Sequence, residues 1–272
     1  VEAAGDPHLP NAVVPLGTVA GDVWVVPYND EDAVEEIFKK HANEIACLVM
    51  EPVLENIGIV LPDAGYLERV RELCDQYGII LIFDEVKTGL TAGHQGAAQR
   101  LGVKPDLITL AKSIGGGLTL AAFGGKKQYM DFVTNGKMAH FGTFNGNPLA
   151  MAGVRAIDRI CSDEALAAAE ELNQQALNRI SAIIDEYQLP AHTVGFGVKG
   201  CVTWSTSPVR NYRDYKATDF GIAEAHWLFA LNRGIITPPG LDEQWLISLA
   251  HGQTEIDLLV EDFRDFAKAL RA

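Results

Sequence analysis

Residues Gly78–Val86 read GIILIFDEV, an unbroken apolar run from Ile79 to Phe83 that ends in two carboxylates. The run is short for a helix and lacks the alternation of a strand with one wet face. It therefore predicts a strand covered on both faces, as in a parallel sheet packed between helices. Ligands in such sheets gather beyond the carboxyl ends of the strands, which puts Asp84 and Glu85 where chemistry is usually done. The plain alternative is that the pair only opens the next loop.

Working outward, DEDAVEEIFKKHAN from Asp30 has early acids, late bases and apolar positions Val34, Ile37 and Phe38, the pattern of an amphipathic helix. EIACLVMEPV reads as a buried strand ending at Glu51 and Pro52, and AGYLERVRELCDQYG as a second helix closed by Gly78. Helix, strand, helix, strand with short connections implies adjacent parallel strands. A polar, glycine-containing loop follows Asp84, and then Asp106 to Leu110 predicts another short strand that presents Lys112 just before Gly115, Gly116 and Gly117. AAFGGKKQYMDFV continues as a strand and the start of a helix. Beyond a boundary near Ile160, a long surface helix, the strand-like pieces GFGVKGCVTWS and WLISLA, a helix around DFGIAEAHWLFALNRG and a final helix with an N-terminal signature at Thr254 and Asp257 suggest a small α+β domain. The expected division is thus 1–160 and 161–272.

The chain of 272 residues is 48% apolar and 21% charged, the make-up of a globular protein with a large core. Its 22 basic and 36 acidic residues leave a net charge of −14, which argues against nucleic acid or anionic membrane as partner and for small molecules or further copies of itself. Cys47, Cys74, Cys161 and Cys201 are scattered without a paired motif, so neither zinc nor a disulfide framework is signalled, and a reducing cytoplasm is expected. No apolar run approaches the ~20 residues of a membrane span. The opening VEAAGDPHLP lacks the order of a signal peptide and has no initiator Met, so a longer N-terminal region is expected.

Two chemistries compete for ILIFDE. A nucleotide hydrolase presents a magnesium-binding Asp and an activating Glu in this way, but it also needs a glycine-rich phosphate loop ending in Lys and Ser or Thr. TNGKMA and FGGKKQ do not supply one. The second chemistry pairs Asp84 with Lys112, 112 − 84 = 28 residues later at the end of the next strand. A Lys amine there can form a Schiff base with an aldehyde cofactor, while a carboxylate at the neighbouring strand end keeps a pyridinium nitrogen protonated so that the ring accepts an electron pair. The glycines after Lys112 would let backbone approach that cofactor closely.

LIFDEVKTGL, PDLITLAKSIGGG, AAFGG and FGTFNGNPLAMAG, in this order and spacing, resemble the class III aminotransferases among the fold type I pyridoxal-phosphate enzymes. Within that family the likeness is to the glutamate-1-semialdehyde 2,1-aminomutase subgroup and its aminotransferase relatives. The resemblance implies an α/β fold, mainly parallel, with a smaller C-terminal α+β domain, and pyridoxal 5′-phosphate as cofactor. It implies that Lys112 carries the Schiff base and moves protons, that Asp84 bonds the pyridine nitrogen and that Val86 packs on the ring. Thr143 would reach the cofactor phosphate in a partner subunit of a homodimer with a shared active site, and Glu51 would line the substrate side. The substrates implied are an amino donor and a keto or aldehyde acceptor, in transamination or in intramolecular 2,1 amino transfer; a racemase or a non-catalytic assembly module are the lesser alternatives.

Without the family, Val86 is a buried β-branched residue, Thr143 and Asn145 are turn residues, and Glu51 caps its loop. His140, His226 and His251 have no metal-ligand spacing. Arg155 and Arg159 face solvent, four apart on a helix. The family's N-terminal region, which supplies most of the phosphate cup, has no counterpart before Val1. The segment after Pro238 has no Arg to grip a substrate carboxylate, and Arg233 reads as a helix C-terminal charge, which favours the aminomutase-like subgroup.

Overall fold

Asp30 accepts a hydrogen bond from the Ala33 N–H at 2.9 Å and so starts α1 (Glu31–His41), whose acidic first turn and basic last turn follow the helix dipole. The structure, a computed structural model, describes residues 23–238 and 244–271. Residues 1–10, read above as no signal peptide, and 239–243, in the stretch searched for an arginine, lie outside these.

β1 (Cys47–Met50), α2 (Tyr66–Tyr77), β2 (Ile80–Asp84), α3 (Gly96–Arg100), β3 (Leu107–Leu110), a 3₁₀ turn (Lys112–Gly115) and β4 (Ala122–Gly125) follow in order. Gly78 ends α2 at φ +70°, the left-handed cap expected from its position. The sheet order is β1-β2-β3-β4; the first three strands are parallel and β4 runs antiparallel. Val34, Ile37 and Phe38 of α1, with Leu67, Val70, Leu73 and Cys74 of α2, close over Leu81 and Phe83 of β2 in one core.

Only that face is fully closed. Along β2, Leu81 and Phe83 are buried, whereas Ile80, Ile82 and Asp84 are half-covered. On β1 the alternating Cys47 and Val49 are exposed. The expectation of a strand covered on both faces thus holds for one face. The run is apolar because Ile80 and Ile82 line the half-covered side, so continuity of apolar residues overstated the cover this chain provides.

Two helices, α4 (Lys127–Thr134) and α5 (Pro148–Ile160), follow the sheet. Asn147 caps α5 through the Leu149 and Ala150 N–H groups, with Pro148 in the first turn, where its missing N–H costs nothing. Then come α6 (Asp163–Glu186), β5 (His192–Phe196), β6 (Lys199–Thr203), α7 (Tyr212–Tyr215), α8 (Phe220–Asn232), β7 (Gln244–Leu246) and α9 (Gln253–Arg271). β5, β6 and β7 make an antiparallel sheet covered by α6 and α9, with Ile180, Ile183, Ile256 and Phe263 at the centre of its core.

Local differences from the sequence expectations have local causes. GFGVKGCVTWS is two strands because Gly197, at φ +58°, turns the chain between β5 and β6. A Cβ there would stand 2.0 Å from the Thr91 carbonyl oxygen, and the Val198 N–H donates to that same oxygen at 2.9 Å, so the hairpin tip is docked on the loop after β2. A third apolar cluster, Val53, Ile59, Ala92, Ala97, Phe196 and Cys201, seals the junction between the two sheets. At the start of α9, Glu255 reaches back to the Gly252 N–H at 2.7 Å, so the signature expected at Thr254 and Asp257 lies with Glu255 instead.

Candidate active site

Strand parity separates the two carboxylates of IFDEV. Successive side chains alternate between faces, so Asp84 shares the half-covered face with Ile80 and Ile82, and Glu85 the core face with Leu81 and Phe83. Glu85 is fully buried and accepts from the Ala97 N–H at 2.6 Å, the Ala98 N–H at 2.9 Å and the Thr88 hydroxyl at 3.2 Å. It therefore holds the start of α3, and the closeness is such that a Cβ on Gly96 would meet its Oε2 at 2.4 Å. Burial pushes the Glu85 carboxyl above its usual range, and the three donors oppose that rise. Of the two acids, Glu85 is the loop-opening one.

Register then assembles the other side. Val49 pairs with Ile82 and Met50 with Phe83, so Glu51, one residue past β1, comes level with Asp84. Asp84 pairs with Thr109 of β3, whose hydroxyl donates to Asp84 Oδ1 at 3.3 Å, and the Val86 N–H donates to the same oxygen at 3.0 Å. Lys112 follows three residues beyond Thr109. The carboxyl ends of three adjacent parallel strands thus present Glu51, Asp84 and Lys112 in a row. Burial raises the Glu51 carboxyl first of all, and the nearby negative charge of Asp84 adds to the rise, so these two acids lie within electrostatic reach.

Lys112 is exposed and holds φ +52°, a left-handed conformation that costs a non-glycine residue about 1–3 kcal/mol and is met most often at functional sites. Among the described residues its amine donates no hydrogen bond, and Asp84 Oδ2 accepts none. The glycines that follow serve local packing as well. Gly116 and Gly117 take φ +58° and +87°, a Cβ on Gly116 would stand 2.7 Å from Ile157 Cγ1, and one on Gly153 would meet the Gly115 carbonyl oxygen at 3.0 Å. The triple glycine lets the turn after Lys112 pack on α5.

Val86 is half-buried beside Asp84 and serves it through its N–H. Thr143 stands apart, in an exposed turn between α4 and α5 where Asn145 Nδ2 lies 3.3 Å from His140 Nε2. Around it Phe141 is 94% exposed, Phe144 80% and Leu149 67%. Arg233, at the end of α8, pairs with Asp262 at 2.7 Å and Asp265 at 2.8 Å, in keeping with a structural charge. Arg155 and Arg159 are exposed, and among the described residues no His, Cys, Asp and Glu cluster could hold a metal ion.

Glu55 was not among the site residues expected from the sequence. It is fully buried behind Glu51, and its Oε2 meets the Lys199 amine of β6 at 2.5 Å. Its N–H donates to Glu51 Oε2 at 3.0 Å, and the Asn56 amide donates to Glu51 Oε1 at 2.9 Å. The Glu55 carbonyl accepts from Lys87 and, at 2.7 Å, from Gln244 of β7. The signal that could have pointed there is Lys199, a cation among apolar residues at the start of β6, since such a cation, once buried, needs a partner.

Residues 14–226 match the family model for class III aminotransferases. The chain belongs to the class III aminotransferases. It is 39% identical over 247 residues to a glutamate-1-semialdehyde 2,1-aminomutase of Thermomicrobium roseum, covering 90% of this chain and 57% of that protein. This class III chain also superposes on a β-phenylalanine aminotransferase from Variovorax paradoxus with a TM-score of 0.85 at 30% identity, covering 93% of this chain and 59% of the other. A glutamate-1-semialdehyde aminomutase variant from Pseudomonas aeruginosa in complex with PMP gives a TM-score of 0.85 at 26% identity, covering 96% and 60%. The chain thus spans under two thirds of the length of these relatives, and its fold is theirs over that span.

The side chains present suit pyridoxal 5′-phosphate. An exposed amine that donates no hydrogen bond among the described residues and a carboxylate with one oxygen tied stand beyond the ends of adjacent strands, the two groups that the cofactor's aldehyde and ring nitrogen require.

Proposed function

We propose that the complete protein moves an amino group with pyridoxal 5′-phosphate held by Lys112 and Asp84. The observation that carries this reading is the placement of these residues at adjacent strand ends, with Asp84 Oδ1 fixed by Thr109 and Val86 so that Oδ2 is turned free. When bound, the cofactor supplies an aldehyde for an amine and a ring that takes up an electron pair. Asp84 would keep a proton on the ring nitrogen, because an anion held in place nearby favours the charged ring. Val86 would offer an apolar side chain to the ring, and the Lys112 amine would hold the cofactor's aldehyde and, in the presence of an incoming amine, carry protons at the reacting carbon. Glu51 accepts hydrogen bonds from that incoming amine.

Two forms of the reaction share these residues. Amino transfer between a donor and an acceptor is the general reading, and intramolecular 2,1 transfer is favoured by the 39% identity to an aminomutase. A second copy of the chain is proposed as partner. The exposed aromatic turn around Thr143 supports it, because Phe141 and Phe144 are too exposed for an unpartnered surface, and Thr143 would then reach the cofactor phosphate of that second copy. A cytoplasmic setting suits four free cysteines, and no helix of the described residues is long and apolar enough to cross a membrane. We also propose that the chain divides into two domains near Ile160, in line with the separate cores around the two sheets.

Intact mass of the cofactor-treated protein with and without borohydride tests the proposal. The adduct is expected on the wild type after reduction and absent in Lys112→Ala. A wild type that stays colourless and unmodified would leave the non-catalytic assembly module as the better reading.

A further inference from the structure

Resting on that function, we propose that Lys199 is a positioning residue: the C-terminal sheet holds the Glu51 carboxylate in place through Glu55. Four bonds define the link. Lys199 Nζ meets Glu55 Oε2 at 2.5 Å, the Glu55 N–H holds Glu51 Oε2 at 3.0 Å, and Gln244 Nε2 donates to the Glu55 and Gly58 carbonyls at 2.7 and 2.5 Å. Glu51 is therefore gripped by a short loop that is itself gripped from β6 and β7.

Stability alone is a poor reason for such a pair. Lys199 is 7% exposed and Glu55 0%, and a buried ion pair is commonly no more stabilising than apolar residues of the same volume. Among the described residues Glu55 Oε1 also has no hydrogen-bond partner, an added cost in the interior. What the pair provides is direction. It fixes the side chain of Glu55 toward β6, and the Lys199 amine reaches the Lys87 carbonyl at 3.2 Å as well, so one cation ties the loop after β1 to the loop after β2. These are the two loops that follow Glu51 and Asp84. Lys199 and Lys112 also lie within electrostatic reach of each other. Supporting contacts of this kind hold a functional group to the sub-ångström tolerance that its chemistry needs.

The test has one arm that needs no cofactor and one that does. In hydrogen exchange followed by mass spectrometry, Lys199→Met is expected to speed exchange in peptides covering 51–58 and 85–88 while leaving those from α6 and α9 unchanged; uniform acceleration throughout would mean a general structural role and overturn the proposal. Should Lys199→Met fold poorly, the double variant Lys199→Met with Glu55→Met restores an apolar pair, and normal exchange at 51–58 there would equally overturn it. In the complete cofactor-loaded protein, bleaching of the cofactor band by methoxyamine is expected to slow about tenfold in Lys199→Met, the order expected when one hydrogen bond to the incoming amine is weakened. The band itself is expected to form normally. Glu51→Gln should slow bleaching to a similar extent, and adding Lys199→Met to Glu51→Gln should change little further, since both act on one group. Full additivity would show that Lys199 does not act through Glu51. If the wild type forms no band, the proposed function fails, and the exchange arm still decides the link.

Discussion

Replacement of Glu85 measures the division of labour between the two neighbouring acids. Glu85 accepts three hydrogen bonds in the core, from Ala97, Ala98 and Thr88. Bonds to a charged acceptor contribute about 1.5–3 kcal/mol each, roughly 4.5–9 kcal/mol in all, against which burial of the carboxylate costs several kcal/mol. Glu85→Ala should therefore lose about 3–4 kcal/mol, because it leaves two backbone N–H groups at the start of α3 and one hydroxyl without acceptors. Glu85→Gln keeps its oxygen where Ala97 and Thr88 need it and turns its amide toward the Ala98 N–H, for a loss of about 1–2 kcal/mol. The sign of the pH dependence is also determined. Burial holds the folded carboxyl above its unfolded value, so the folded state binds the extra proton, and this contribution is fully present below the unfolded pKa and lost as pH rises through the folded one. Gln does not titrate. The stability gap between wild type and Glu85→Gln, read from urea unfolding from acid to neutral pH, should narrow as pH rises. A gap that widens, or a Glu85→Ala loss under about 1 kcal/mol, would refute the placement of Glu85 in the core. Cofactor attachment in Glu85→Gln should match wild type, since Asp84 is on the other face.

Asp84→Asn should still acquire the reducible adduct through Lys112 but move amino groups at least about a hundredfold more slowly in stopped-flow half-reactions, because the fixed charge at the ring nitrogen is gone. Asp106 is buried at the other end of the sheet; burial pushes its carboxyl up, but Lys126, the Leu81 N–H and Arg71 together hold it below the usual range. Its contribution is therefore present above the unfolded pKa and lost as pH falls, so Asp106→Asn should cost about 2–3 kcal/mol at neutral pH and progressively less in acid, checked by urea unfolding. Phe141→Asp with Phe144→Asp should weaken self-association at least about a hundredfold, since each ring removed from an apolar contact forfeits about 1.5–3 kcal/mol. Light scattering at matched concentrations would show monomer, and an unchanged dimer would remove this turn from the interface.

Much of this was legible in the residues themselves. Periodicity and capping chemistry are local, so α1, α2 with its Gly78 cap, and the strands leading to Asp84 and toward Lys112 could be read from neighbours a few positions apart. The motif order was specific enough to name a family that residues 14–226 then matched. Less visible were short elements such as α3 and α7, whose few residues carry too little pattern. The hairpin at Gly197 was hidden because its turn is imposed by contact with Thr91, over a hundred positions earlier in the chain.

The sequence by itself determined which residue types stand at the strand ends: Glu51, Asp84, Glu85 and, three residues past Thr109, Lys112. Only the tertiary structure decided which of them share a surface. Register brings Glu51 level with Asp84, and the alternation of a strand sends Glu85 into the core. Which carboxylate Lys199 meets was decided by the fold alone, because a charge can leave water only where the folded chain brings its opposite to meet it, and the meeting with Glu55 spans 144 positions.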